Sequence, residues 1–434
     1  MSNTQEHIVF LGIGGIGMSA IARHYLRLGV PVFGYDKVRT PLSDALEAEG
    51  AVVCFDENPA HYPGWDASTT TVIYTPALPE TLEWFAFFKD FRCIKRAEAL
   101  GNIASKGRCL AVAGTHGKTS TSAILVHVLT EAGLDPTAFI GGIMTGSGTN
   151  YRLGNSDLVI VEADEFDRSF LHLHPWAAAV TTTDEDHLDI YGDSGALLET
   201  FDAFVRQVTG PTFSAAQLES ITTVGDIGSH CWASEITPAQ GAYHFTLNLG
   251  EEQHKTSLQM PGRHNIYNAV LAAALAHTAG ATPAQIAKAL PSFQGIKRRF
   301  EFHLQSPVVL IEDYAHHPTE LKALLDSIDE LYPTQKITMV FQPHLFSRTR
   351  DFQDGFKNQL SRTEQCLLLP IYPARELPIE GITSEALAAG ISGASVVQKD
   401  TLVPTLLASD SDVILLVGAG DIGQLVAPLK SALL

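Results

Sequence analysis

The chain has 434 residues, 45% hydrophobic and 18% charged, with a formal net charge of −19, so two or three domains of an ordinary globular protein are expected. The acidic balance excludes non-specific nucleic-acid binding, because a phosphate backbone would be repelled. Cys54, Cys93, Cys109, Cys231 and Cys366 form no C-x-x-C pair, no apolar run reaches the ~20 residues of a membrane span, and Met1 to His7 lacks a signal-peptide pattern; no zinc site, disulfide framework or membrane is indicated, and a cytoplasmic location is expected.

His7 to Leu11 reads as a strand, followed by Gly12-Ile13-Gly14-Gly15-Ile16-Gly17-Met18-Ser19 and a helix through Leu28. The next apolar run, Val30 to Tyr35, ends in Asp36. This is a βαβ unit with a G-x-G-x-x-G turn and an acid about twenty residues on, the pattern of a dinucleotide site. A phosphate at the helix N-terminus with a ribose or base on Asp36 suits NAD(P) and a sugar nucleotide equally, so the turn leaves both open. A strand-and-turn signal follows at Thr71 to Leu78. Arg92 to Arg96 then leads into a helix, Ala97 to Ser105, and Lys106-Gly107 links onward.

Cys109 to Ala113 reads as a short buried strand, then a Gly-containing turn, then a helix from Ser120 to Thr130 with Ile124, Leu125, Val128 and Leu129 on one face. Gly114-Thr115-His116-Gly117-Lys118-Thr119-Ser120 therefore forms an anion cradle at a helix N-terminus. Lys118 is placed to reach the outer phosphates of a nucleoside triphosphate, and the Thr119 hydroxyl to meet Mg²⁺. The usual P-loop pattern has Gly where this chain has Val112.

Beyond that helix, Phe139 to Gly142 ends a short strand, and 146–155 is a Gly/Asn-rich loop. The strand Asp157 to Val161 delivers Glu162-Ala163-Asp164-Glu165, and Ala177 to Thr182 delivers Asp184-Glu185-Asp186-His187. Acids at the ends of two strands beside a P-loop strand supply hard oxygen ligands for a cation that also grips phosphate. Residues 210–250 read as strands and turns without chemical signals. An Ala-rich helix opens at Gly262-Arg263-His264-Asn265 and runs to Ala279, and a second spans Pro283 to Leu290. A basic patch, Lys297-Arg298-Arg299, precedes a final α/β segment. Its strands Val308 to Ile311, Lys336 to Phe341 and Val413 to Val417 end in polar stretches that carry Asp313, Tyr314, His316, His344 and Arg348.

Together, GIGGIGMS (12–19), GTHGKTST (114–121), EADE (162–165), DEDHLDIYG (184–192), GRHNIYNA (262–269), KRRFE (297–301), DYAHHP (313–318), QPHLFSRTRD (342–351) and GAGDIG (418–423) resemble the Mur ligases. These are the ATP-dependent amino-acid ligases of peptidoglycan synthesis, and the resemblance covers essentially the whole chain. It implies an α/β fold of three domains: a Rossmann-like UDP-sugar-binding domain at 1–106, a central P-loop ATPase-like domain at 107–300 and a Rossmann-like, amino-acid-binding α/β domain at 301–434. The implied reaction joins L-alanine to the lactyl carboxylate of UDP-N-acetylmuramate through an acyl phosphate, with ATP and Mg²⁺, in a monomer or dimer.

Carried over motif by motif, Gly14, Gly15, Ile16, Gly17 and Asp36 would hold the UDP-sugar, with Arg96 and Asn150. Gly114 to Ser120, Asn265, Arg299 and Asp313 would bind ATP. Thr119, Glu162 and His187 would be metal ligands, with Lys118, Glu162 and His187 catalytic; His187 would serve either the metal or the acyl phosphate. Tyr314, His316, His344 and Arg348 would surround the amino acid. Some relatives support Mg²⁺ with a carbamylated lysine; 195–208 holds no lysine, which fits the alanine-adding branch. Two positions depart from the family pattern: Thr182-Thr183, where Asn-Ile is common, and Leu345, where Arg often follows the His. The rival readings are a ligase recycling a murein peptide onto the same sugar, an NAD(P)-dependent oxidoreductase, and a non-catalytic nucleotide-binding regulator.

Overall fold

The computed structural model describes residues 5–184, 194–214, 222–225, 228–239, 242–374 and 376–434. Five strands, β1 (His7–Leu11), β2 (Val32–Tyr35), β3 (Val52–Cys54), β4 (Thr70–Tyr74) and β5 (Arg92–Lys95), make a parallel sheet in the order β3-β2-β1-β4-β5. Successive side chains of β1 point to opposite faces, as the pleat requires. Ile8 and Phe10 join one apolar cluster with Ile21, and Val9 and Leu11 join another with Phe33 and Trp84. A strand buried on both faces is a continuous apolar run, which is why HIVFL is legible.

The second sheet contains β6 (Arg108–Ala113), β7 (Thr137–Phe139), β8 (Tyr151–Arg152), β9 (Leu158–Glu162), β10 (Ala177–Val180), β11 (Thr212–Ser214) and β12 (Thr222–Thr223). Its order is β12-β11-β10-β6-β9-β7-β8, with the P-loop strand β6 between β10 and β9. Three further strands, β13 (Cys231–Ala239), β14 (Ala242–Leu249) and β15 (Glu252–Leu258), form a separate small sheet. The last sheet, β16 (Glu301–Leu304), β17 (Val309–Asp313), β18 (Ile337–Phe341), β19 (Gln365–Leu368), β20 (Ala394–Val396) and β21 (Val413–Val417), runs β16-β17-β21-β18-β19-β20.

Two compact units result: 1–235 with 245–256 and 267–293, and 236–244 with 257–266 and 294–434. The first two sheets share the first unit, and the last sheet lies in the second. No described helix is long and apolar enough to cross a membrane.

Two differences from the sequence reading have plain causes. The P-loop helix begins at Lys118, not Ser120, because Gly117 turns left-handed (φ 81°) and serves as its N-cap. Strand β10 stops at Val180 because the Thr181 and Thr182 hydroxyls turn toward the P-loop.

Candidate active site

The site in the first unit is built on the turn between β6 and the helix Lys118–Glu131. Gly114 (φ 129°) and Gly117 (φ 81°) both have backbone conformations that side chains avoid. A Cβ on Gly114 would lie 2.1 Å from Thr181 Oγ1, and one on Gly117 would lie 2.6 Å from Asn268 Oδ1. Val112, at the position of the usual first glycine, is fully buried in β6, paired with Ala179 and Glu162. That position belongs to the strand here, so no glycine is needed. The turn is stapled from β10's end: Thr182 Oγ1 meets Thr115 Oγ1 at 2.9 Å and accepts from the His116 amide at 3.1 Å. No side chain caps the helix, which leaves the first-turn amides pointing at the turn.

Lys118 is more enclosed than its motif suggests. Its Nζ donates to the carbonyls of Gly114 (2.5 Å) and Thr115 (3.3 Å), and lies 2.7 and 2.9 Å from the two carboxylate oxygens of Glu165. The side chains of Lys118 and Glu165 are 13% and 1% exposed. Burial alone would depress the ammonium, but Glu165, Asp164 and Glu162 outweigh it and keep the lysine charged. Burial pushes the Glu165 carboxyl up, against the pull of Lys118.

One residue on, Thr119 Oγ1 donates to Glu162 Oε1 at 2.9 Å, and the other Glu162 oxygen accepts from the Gly141 amide at 2.7 Å. A hydroxyl and a carboxylate in contact are the hard oxygen donors that suit Mg²⁺. Glu162 and Asp164 also line a cavity of about 160 Å³ with Ile16, Gly17, Arg96 and Phe139. Arg96 Nη2 is 3.0 Å from Asp164 Oδ2, and a Cβ on Gly17 would strike Arg96 at 2.6 Å. The glycine turn of the first sheet and the acids beside the P-loop thus face one space. His187 lies outside the described residues.

Two sugar-nucleotide candidates are engaged elsewhere. Asp36 Oδ2 accepts from the Gly14 amide at 2.7 Å, so this acid closes the glycine turn on itself. Asn150 is fully buried: its Nδ2 donates to Ile16 O (2.6 Å) and Ser19 Oγ (3.1 Å), and its Oδ1 accepts from Arg23. It bonds the start of the helix Ile16–Arg27, whose Ile16 and Gly17 line the cavity, rather than lining the cavity itself.

In the second unit, Asp313 ends β17 and accepts from the amides of Phe300 (2.8 Å) and Ala315 (2.7 Å). Burial pushes its carboxyl up to about 6, opposed by Arg299 and those amides. The guanidinium centres of Arg298 and Arg299 each lie 4.9 Å from the Tyr314 ring. His316 packs edge-on to Tyr314, its ring 6.0 Å from His344, and its Nδ1 is 3.1 Å from Glu320. His344 stacks on Tyr372. The structure therefore gathers Tyr314, His316 and His344. Arg348 sits in the helix Phe346–Asp351 and is 8% exposed; the turn before it passes through Leu345 at φ 71°. Asn265 is buried and donates to Pro261 O at 2.6 Å.

Three groups at this site escaped the sequence reading. Glu165 stands in the acidic stretch 162–165, from which the family resemblance assigns a role to Glu162 alone. Asn268 follows Asn265 at helical spacing, a periodicity that could have flagged it. Thr181 has no sequence signal beyond its place at a strand end.

Comparison with known proteins supplies the remaining information. Three family models match in chain order: "Mur ligase family, catalytic domain" over 7–108, "Mur ligase middle domain" over 112–276 and "Mur ligase, glutamate ligase domain" over 298–420. The chain is 46% identical to a UDP-N-acetylmuramate–L-alanine ligase of Flavobacterium psychrophilum, covering 99% of each, and 40% identical to that of Porphyromonas gingivalis, with the same coverage. It superposes on the UDP-N-acetylmuramate–alanine ligase of Thermotoga maritima with a TM-score of 0.84 at 26% identity, covering 98% of each chain. A murein peptide ligase of Psychrobacter arcticus shares the fold, with a TM-score of 0.74 at 24% identity over 99% of this chain and 98% of that one.

Proposed function

The chain belongs to the Mur ligase family, and from that premise we propose that it is an ATP-dependent ligase joining L-alanine to the lactyl carboxylate of UDP-N-acetylmuramate, a step of peptidoglycan precursor synthesis. The observation that carries this reading is the shared cavity. Gly17 and Arg96 beside the sugar-nucleotide turn, and Glu162 beside the P-loop, line one space of about 160 Å³, where a carboxylate on the sugar can meet the terminal phosphate of ATP.

A carboxylate is inert to amines, so its oxygen first takes the γ-phosphoryl group of ATP, which gives an acyl phosphate and ADP. The neutral amine of L-alanine then adds to the carbonyl carbon. The tetrahedral intermediate expels inorganic phosphate and loses a proton, leaving the amide. Lys118 and the first-turn amides stabilise charge on the transferring group, and Arg96 with the glycine turn orients the acceptor. Mg²⁺ held by Thr119, Glu162 and His187 would neutralise phosphate charge. In the second unit, Tyr314, His316, His344 and Arg348 are assigned to the amino acid. A guanidinium fork suits its carboxylate, and a histidine suits the amine that must shed a proton.

We assign 1–106 to the UDP-sugar, 107–300 to ATP and 301–434 to the amino acid; each large sheet falls within one of these segments, which supports the division. A cytoplasmic location agrees with five free cysteines and with ATP as substrate. The test is ADP release with UDP-N-acetylmuramate and each amine in turn. L-alanine-dependent release with formation of the alanyl amide is expected; release only with a murein peptide overturns the proposed acceptor amine.

A further inference from the structure

We propose that Glu165 is a positioning residue for phosphoryl transfer, holding the Lys118 ammonium over the P-loop turn; this rests on the ATP-site reading above. An ammonium has three donors. Here the carbonyls of Gly114 and Thr115 receive it at 2.5 and 3.3 Å, and both oxygens of Glu165 lie within 2.9 Å. A lysine on a flexible four-carbon stem is a mobile point charge unless its surroundings fix it. The two carbonyls belong to the loop that must receive phosphate, so the carboxylate is the anchor that comes from outside that loop.

Glu165 is itself rigidly placed. Its side chain is 1% exposed. The chain turns sharply after it: Asp167 (φ 52°) and Arg168 (φ 54°) both adopt left-handed conformations, uncommon for residues with a side chain. That turn is closed by the Arg168 amide on Glu165 O (2.9 Å) and the Phe170 amide on Asp164 O (2.9 Å), while Asp164 Oδ1 accepts from the Phe166 amide at 3.2 Å. Asp164 Oδ2 is in turn held by Arg96 at 3.0 Å. A turn with this many constraints aims one carboxylate inward, at the lysine.

The placement divides the labour among the acids after β9. Glu162 meets the Thr119 hydroxyl, Asp164 meets Arg96 at the cavity wall, and Glu165 meets Lys118. Each acid therefore addresses a different partner: the proposed metal ligand, the acceptor-side arginine and the phosphate-side lysine.

The experiment is a double-mutant cycle on the full chain, with Glu165→Gln, Lys118→Met and the pair, reading kcat, the three KM values and the melting temperature. Gln keeps the shape and removes the charge. Glu165→Gln is expected to lower kcat at least tenfold while the KM for UDP-N-acetylmuramate stays within about threefold. In the Lys118→Met background the same change is expected to cost nothing further, because it acts through the lysine. Glu165→Asp restores the charge but shortens its reach, and is expected to recover part of kcat; it carries the test should the Gln variant fail to fold. Full kcat in either folded variant overturns the proposal, as does an equal loss with and without Lys118. Full activity of Lys118→Met would instead overturn the ATP-site reading itself.

Discussion

Replacing Lys118 with Ala removes a cation that two carbonyls and a buried carboxylate all contact. Stabilisation of the transferring phosphoryl group should fall with it, by on the order of 10²-fold or more in kcat. The motif alone suggests an exposed lysine whose loss leaves the fold untouched. The buried pair predicts otherwise: an uncompensated Glu165 should cost about 3–5 kcal/mol. Thermal melting should therefore show Lys118→Ala well below wild type, and Lys118→Ala/Glu165→Gln should regain much of the loss while staying inactive. An unchanged melting temperature for Lys118→Ala would contradict the pairing. Arg348→Ala would remove the guanidinium assigned to the alanine carboxylate. Losing a charge-assisted fork worth roughly 1.5–3 kcal/mol should raise the KM for L-alanine about 10- to 100-fold. The KM values for ATP and the UDP-sugar should stay within a few-fold; kinetics in which all three rise together would remove Arg348 from the amino-acid site.

At the scale of elements, the P-loop turn depends on two glycines for different reasons. Ala at 117 would keep a left-handed φ of 81° and press a methyl carbon to 2.6 Å from a side-chain oxygen of Asn268, which can shift. Ala at 114 would meet the Thr181 hydroxyl at 2.1 Å and two backbone nitrogens at 2.9 Å, which cannot. Gly114→Ala should therefore raise the KM for ATP and lower the melting temperature more than Gly117→Ala does, a ranking that nucleotide titration and calorimetry can check. The same elements show what a sequence conveys. Strands buried on both faces, such as β1 and β21, are unbroken apolar runs and were readable with their observed bounds. The helix Pro41–Ala48 was not read, though Thr40 and Ser43 form a capping box at its start, because it is only eight residues long and fully buries a single apolar side chain, Leu46. Strand β3, three residues with only Cys54 buried, carries still less. Motif spacing placed Lys118, Thr119 and Glu162 side by side in advance, since a P-loop and a neighbouring strand end fix them through the sheet. It could not show that Asp36 would bond the Gly14 amide or that Asn150 would be buried, because such partners depend on how two separate stretches pack.

Across the whole molecule, the first two sheets share one compact unit although each has its own motif, turn and family match. One apolar cluster runs through both, from Ile21 and Ile103 to Phe139, Tyr151 and Phe170, and a buried polar tie is laid across it. Arg23, 4% exposed, pairs with Glu49 at 2.8 Å and donates to Asn150, whose amide returns to Ile16 and Ser19. His24 meets Tyr151 at 2.9 Å, and burial presses its imidazole down to about 4, so it stays neutral. Gly101 brings the helix Arg96–Ala104 so close to the segment behind β9 that a Cβ would lie 2.4 Å from the His172 carbonyl. Arg23→Met should leave Asn150 and Glu49 without their cation. With Glu49 partly solvated, a loss of roughly 2 kcal/mol is expected, read as an earlier calorimetric transition of the first unit; no shift would mean that apolar packing alone joins the sheets. The buried tie also limits modular exchange. A chimaera that grafts a relative's first sheet onto this chain at Lys106-Gly107 would follow the family boundaries, yet carry a foreign partner to Asn150 and Tyr151. Inheritance at this junction has to be joint: residues 23 and 24 must travel with 150 and 151, so the natural cut for recombination lies outside both sheets and not at the linker between them.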